Sequence, residues 1–336
     1  MNTSLTERLN NLKDIWQGES LNARNNRKKV KSTGRFLYAV ARFCFLFSLC
    51  LVLLYPLLIM LSISLRVPNE LYDPTVVWLP KNITFGAFSK AFDMLNFTSV
   101  VSVTAIISVV GTACQLIACT LAGYGLARFK VPFKNFLFGV LILSIIVPPQ
   151  IVSIPSMVYF QSFDLFGIGK LAGILTGHAV TIPLINSLWS YFLPAILGCG
   201  IRSGLFIFIF IQFFRGLPSE LEDAAYIDGC GSFRTFLQIM LPLSGSAILT
   251  VTLFSFVWYW NDSYFSVIYF DNLRTVSTVL QDIRNQLNAA NDNSDPLSLV
   301  TQTQAAALMS IVPLLAIYVA LQKYFTESIE RTGIVG

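Results

Sequence analysis

Four carboxylates, Glu220, Glu222, Asp223 and Asp228, stand within the ten residues that follow Pro218, and Gly229 and Gly231 come directly after them. The chemistry such a cluster offers is charge pairing with a partner, and its spacing says how it is presented. Pro218 fits the start of a helix, and Ser219 with Glu222 has the spacing of a capping box. Leu221, Ala224, Ala225 and Asp228 fall on one helical face, and Gly229 stands where a left-handed C-cap is wanted. Phe233, Phe236, Leu237 and Met240 then recur at i, i+3, i+4, i+7, the stripe of a second short helix that Pro242 ends. The product is a helix–turn–helix with acids and small residues on one arm and aromatics on the other. Ala224 and Ala225 admit a partner's backbone or bulky side chain.

Other chemistry is scarce. His178 is the single histidine, so no multi-histidine metal site exists, and a loop or helix-end position suits it. Cys44, Cys50, Cys114, Cys119, Cys199 and Cys230 show no paired spacing that would predict a metal site or a disulfide framework. "GIGKLAG" (167–173) resembles a phosphate loop, but Leu171 follows Lys170 where a hydroxyl residue is required. The chain carries no cradle for ATP and is not expected to be an enzyme.

The elements that must position the cluster are membrane spans. Of the 336 residues 54% are apolar and 12% charged, with mean hydropathy +0.65. No soluble domain of this length hides so much apolar surface, so a polytopic membrane protein follows. Apolar runs at roughly 36–64, 98–126, 136–160, 186–214, 247–270 and 304–325 predict six spans. The stretch 171–214 is broken by Pro194 and by Gly198-Cys199-Gly200; it holds either one crossing with a surface or re-entrant segment, or two crossings. Residues 1–35 carry eight basic side chains against three acids, and Arg128, Lys130 and Lys134 follow span two without an acid. Both stretches belong on the cytoplasmic side. One crossing in 171–214 then leaves the helix–turn–helix and both termini inside, the simpler arrangement.

Three regions result: a basic arm over 1–35, a membrane domain over 36–325 and a tail over 326–336. In the arm, Ser4 and Glu7 are spaced as a capping box and Leu5, Leu9, Leu12 and Trp16 recur at helical spacing. They predict either a helix lying on the inner membrane face or a polar tail. Gly111, Ala118, Cys119, Ala122 and Gly123 in span two permit close helix approach. Pro148-Pro149-Gln150 and Pro155 free backbone carbonyls at membrane depth, which marks Gln150 as a pathway candidate.

At the helix–turn–helix the sequence resembles a known family. Pro-x-Glu-Leu-x-Asp-Ala-Ala-x-Ile-Asp-Gly, with Phe236 and Leu241-Pro242-Leu243, looks like the EAA loop (215–246 here) of ABC importer permeases, especially carbohydrate permeases related to the maltose permease pair. The family's Glu-Ala-Ala corresponds to Asp223-Ala224-Ala225 and its glycine to Gly229. Cys230 and Ser246 depart from its usual alanine and second proline. "LAGYGLARFKVPFKN" (121–135), "VPPQIVSIP" (147–155), "FIFIFIQFFRGLP" (206–218), "FVWYWNDSYF" (256–265) and the C-terminal "QKYFTESIERTGIVG" support the likeness, while 161–185 looks like an insertion. The resemblance implies an all-α permease of a bacterial inner membrane that imports a carbohydrate. It implies a second permease forming a heterodimer, two ATPase subunits holding ATP and Mg, and an external solute-binding protein, with no nucleic acid and no cofactor in this chain. It assigns coupling to Glu220, Glu222, Asp223, Ala224, Ala225, Asp228, Gly229, Phe233 and Phe236.

Sugars are held by aromatic faces and hydrogen-bonding groups. Trp258, Tyr259, Trp260 and Asn261 in span five, with Asn186 and Trp189 before span four, supply both; the alternative is that these Trp and Tyr residues near span ends form the interfacial aromatic belt. The alternatives are an importer of a non-sugar solute and a transporter driven by an ion gradient. The second needs ionisable groups within its spans, and only Asp262 and Arg202 approach that position.

Overall fold

In lipid a helix meets no water on any side, so a spanning helix needs no polar face. Helix α1, Arg35–Ser64, is apolar around its circumference in this way. The structure, a computed structural model, describes residues 35–164, 167, 181–290 and 295–333. It comprises two units, Met1–Met60 and Leu61–Gly336. The expected arm helix at Leu5–Trp16, His178 and most of the 161–185 insertion lie outside the described residues. Among the described residues no strand forms, only isolated bridges between Arg66 and Ile83 and between Phe163 and Ile182.

In the second unit a 3-10 turn, Pro68–Tyr72, precedes α2 (Gly86–Met94) and the long α3 (Phe97–Arg128). Then come α4 (Lys134–Ile146), α5 (Pro149–Gln161), α6 (Trp189–Ile196), α7 (Ser203–Gly216) and α8 (Glu220–Ile227). Helix α9 (Ser232–Leu243) leads into α10 (Gly245–Asn261). Short α11 (Tyr264–Tyr269), α12 (Val276–Gln281) and α13 (Ile283–Ala290) precede α14 (Pro296–Gly333), which is helical well into the stretch expected as a tail from 326.

The apolar runs at 36–64, 98–126 and 304–325 lie within α1, α3 and α14, and the other three are broken. Expected span 136–160 splits into α4 and α5, bent by 101°. The cause is Pro148-Pro149: a residue before proline is driven out of the α region, and Val147 and Pro148 are extended at ψ 122° and 138°. Expected span 186–214 divides at the break that Gly198-Cys199-Gly200 marks in the sequence, into α6 and α7. Gly198 and Arg202 adopt left-handed conformations, ending α6 and delaying α7 to Ser203. The eight residues of α6 rise about 12 Å, too little for a hydrocarbon core of about 30 Å. Expected span 247–270 stops at Asn261, because the Asp262 carboxylate accepts the amides of Phe265 and Ser266 and starts α11. Tyr191 of α6 donates to the same carboxylate, and Ser277 donates to the Asp262 carbonyl.

Helix α3 is the centre of the unit, and its polarity is inverted relative to a soluble core. Thr104, Ser108, Gly111, Thr112, Gln115, Cys119 and Gly123 face inward, while Ile117 is 64% exposed. Small and polar residues belong inside because lipid gives apolar side chains no reason to associate. A Cβ on Gly123 would lie 2.4 Å from the Cβ of Phe210 on α7. The Tyr259 ring of α10 packs 3.1–3.2 Å from where a Gly111 Cβ would be. Gln115 Nε2 donates to the Ile201 carbonyl at 2.6 Å and to Ser203 Oγ at 3.0 Å. Its Oε1 accepts from Ser255 of α10 at 3.2 Å.

Gly123→Ala therefore has to push α3 away from α7, at a cost of about 1–3 kcal/mol. A lowered melting temperature of the detergent-purified chain is expected, with Gly125→Ala, where a Cβ meets nothing within 4 Å, unchanged beside it.

Candidate functional site

The acidic cluster lies where the chain reverses between α7 and α10. Helix α8 turns 74° away from α7, and α9 meets α10 at 76°. Between α8 and α9 the backbone closes as a Schellman turn: the Cys230 amide donates to the Ala225 carbonyl at 2.9 Å and the Gly229 amide to Tyr226 at 3.1 Å. That pattern needs a left-handed residue at its corner, and Gly229 has φ +78°.

The N-terminus of α8 differs from the expected capping box. Ser219 is itself helical, at φ −70° and ψ −24°, and its side chain makes no cap bond. Glu222 is turned inward. Its Oε1 accepts from the Tyr124 hydroxyl at 2.6 Å and its Oε2 lies 3.2 Å from Arg128 Nε. The Nε hydrogen is not aligned on that oxygen, so the Arg128 contact is charge pairing rather than a directed hydrogen bond. Arg128 Nη2 donates to the Leu217 carbonyl at 2.6 Å. Removing one member of a buried pair costs about 3–5 kcal/mol.

The loop thus has two faces. Glu222, Ala225, Thr235, Phe236 and Met240 are buried, with Phe236 packed 4.9 Å from the Tyr124 ring. Glu220, Asp223, Ala224, Asp228, Gly229 and Phe233 are exposed, and Ile227 is 86% exposed. The expected aromatic stripe is therefore divided, and its second half, Phe236–Met240, forms a π turn. Phe236 and Met240 go inward while Phe233 and Leu237 stay outside. Of the alanine pair, only Ala224 is open to a partner.

The seven residues proposed for a solute route are not brought together. Consecutive residues on a helix point about 100° apart, so Trp258, Tyr259 and Trp260 cannot share one wall. Trp258 lies under the Arg202 guanidinium, 5.7 Å from its ring centre. Trp260 is buried and donates to the Ser310 carbonyl at 3.3 Å. Asn261 bonds back to Val257 of its own helix, and Gln150 and Trp189 are exposed. Asn186 holds a turn through Asp271, its Nδ2 donating to Oδ2 at 3.0 Å. Tyr259 alone of the seven lines the cavity of about 810 Å³ between α4–α5 and α6–α7, whose walls also include Tyr191, Arg202, Phe265 and Tyr269. Gln115 was not anticipated from the sequence; an amide in the middle of an apolar run was its only signal.

A helical bundle that turns apolar side chains out and polar ones in, with several helices long and apolar enough to cross a bilayer, is that of a multi-pass membrane protein. Residues 116–331 match the family described as binding-protein-dependent transport system inner membrane component, and the chain belongs to that family. It is accordingly a transport subunit and not an enzyme. It is 29% identical over 283 residues to the melibiose/raffinose/stachyose import permease of Bacillus subtilis (strain 168), covering 84% of this chain and 91% of that one. The arabinooligosaccharides transport system permease of Halalkalibacterium halodurans is 25% identical over 288 residues, with coverage of 85% and 92%. Among solved structures, a chain of a bacterial ABC transporter that imports the acidic polysaccharide alginate superposes with a TM-score of 0.64. The match has 19% identity and covers 86% of this chain and 96% of that one.

Gly229→Val forces a branched side chain into a left-handed turn, which costs about 1–2 kcal/mol. Faster amide hydrogen exchange is expected across 220–235 and not in α3, with Gly229→Asn closer to the parent.

Proposed function

We propose that this chain is one permease subunit of an ATP-driven, binding-protein-dependent importer of a carbohydrate, and that the helix–turn–helix over 219–243 docks it to a separate ATPase. The observation that carries this is the outward face of the loop. Asp223, Ala224, Ile227 and Asp228 stand in the open on a turn that Gly229 fixes, while the opposite face is tied to the body of the chain. Exposed aliphatic and acidic groups on one rigid turn suit a cleft with an apolar floor and basic rim. Glu220 and Phe233 flank that contact. ATP and Mg are held by the ATPase.

The topology has six spans, with both termini and the loop in the cytoplasm of a bacterial cell. Support comes from the basic residues Arg128, Lys130 and Lys134 beside the loop and from α6 being too short to cross. A second permease, forming a heterodimer, completes the pathway, and a binding protein delivers the solute at the opposite face. The sugar class rests on the permease relatives and on the aromatic wall of the cavity, with Tyr259 the pathway residue best supported by position. An ion-gradient mechanism finds less to work with. Asp262 is engaged by Tyr191, and Arg202 is stacked on Trp258.

Affinity purification of the tagged chain from its own membranes is expected to bring down a P-loop ATPase, identified by mass spectrometry. Asp223→Lys and Ile227→Asp should each cut its recovery about tenfold, a change of about 1.4 kcal/mol, without altering membrane insertion. Reconstituted uptake of oligosaccharide that proceeds from an ion gradient with no ATP and no ATPase present would sink the proposal.

A further inference from the structure

Docking uses the outward face of the loop and leaves its inward carboxylate unexplained. We infer that Glu222 is a positioning residue, a pin through which movement of the docked loop is passed to α3, with Arg128 and Tyr124 as its two sockets. The inference rests on the reading of the loop as an ATPase dock and deepens it.

Helix α8 has two buried residues, Glu222 and Ala225. Ala225 brings only a methyl group, so the buried polar side chain that α8 presents to α3 is Glu222, beside which the half-exposed Tyr226 also reaches the Tyr124 hydroxyl. The partners of Glu222 are the hydroxyl of Tyr124 at 2.6 Å and the guanidinium of Arg128 at 3.2 Å. The two partners are four residues apart, so they project from one face of the end of α3. Arg128 also holds the Leu217 carbonyl, the corner at which α7 turns into α8, so one guanidinium braces both sides of the hinge. When α8 is displaced, α3 must follow, or a carboxylate and a guanidinium must part in surroundings that hydrate neither well.

Helix α3 is suited to carry that displacement onward. It is a single helix of 32 residues, and midway along it Gln115 grips the Ile201 carbonyl and Ser203 at the wall of the cavity. Gly111 lies under Tyr259, another wall residue. A continuous set of contacts therefore runs from the docking loop to the cavity along one element.

The test uses the complete transporter in proteoliposomes: this chain, its second permease, its ATPase and its binding protein. Hydrolysis of Mg-ATP is read with and without the binding protein, alongside the amount of ATPase retained. Glu222→Gln should retain the ATPase and lower the stimulation by binding protein about tenfold, the scale of a typical coupling between sites. Tyr124→Phe, which removes one oxygen and no charge, should lose part of the stimulation. The reversal Glu222→Arg with Arg128→Glu should restore it where each single change does not, a rescue that bulk destabilisation would not give. Full stimulation in Glu222→Gln beside a stimulated parent overturns the pin alone. Parallel loss of ATPase retention overturns it too, by making Glu222 part of the dock. A parent chain that retains no ATPase overturns the docking reading and the pin together.

Discussion

Everything in the second unit depends on how closely other helices can approach α3. In water, burying apolar surface would supply the attraction; in lipid the same side chains are as well solvated outside as in. Contact must come from backbones brought near enough for dispersion to add up, and from hydrogen bonds that lipid cannot offer. Gly123 lets Phe210 of α7 lie where a methyl group would be, and Gly111 does the same for Tyr259 of α10. Gln115 then binds the start of α7 and α10 to one amide. Its donors and acceptor are all used, which turns a costly group in a membrane into a fastener.

The same economy explains the breaks. A helix that stops inside a membrane leaves carbonyls and amides without partners, and the break after Asn261 is answered by side chains. Asp262 receives the free amides of α11, and its own carbonyl takes the hydroxyls of Ser266 and Ser277. Thr104 of α3 accepts the amide of Val276 at 2.9 Å where α12 begins. Short helices are thereby fastened to long ones by side-chain hydrogen bonds as well as by shared apolar clusters, in which Val276, Val279, Ile283 and Leu287 pack with Val100, Phe256 and Ala306.

What could be read from the sequence follows from the range of the interaction involved. The turn at Gly229 was legible because its cause is local: one residue without a Cβ, preceded by a helical run, closes the backbone on itself. The break at Pro148-Pro149 was legible for the same reason, although its 101° angle was not. Ser219 and Glu222 have a capping spacing that the fold does not use, because Tyr124, 98 residues upstream, takes the carboxylate. No local pattern encodes that competition. The aromatic run Trp258-Tyr259-Trp260 misled differently, since composition grouped three rings that helical rotation separates. Gln115 shows the reverse case, a residue with no motif around it whose partners come from α7 and α10.

These distances in sequence bear on what kind of device the loop is. Were α8 held by local capping alone, it would be a flap, free to follow a partner without consequence for the spans. Its inner carboxylate is instead committed to the end of α3, and the guanidinium it meets also holds the corner before it. Helix α8 is thus tied by side chains to the helix that organises the second unit. Sacrificing the capping box for an ion pair exchanges local stability of a short helix for mechanical continuity with a long one. The tie spans 98 residues of sequence and fixes the inner face of α8 through Tyr124 and Arg128 rather than through its own first turn.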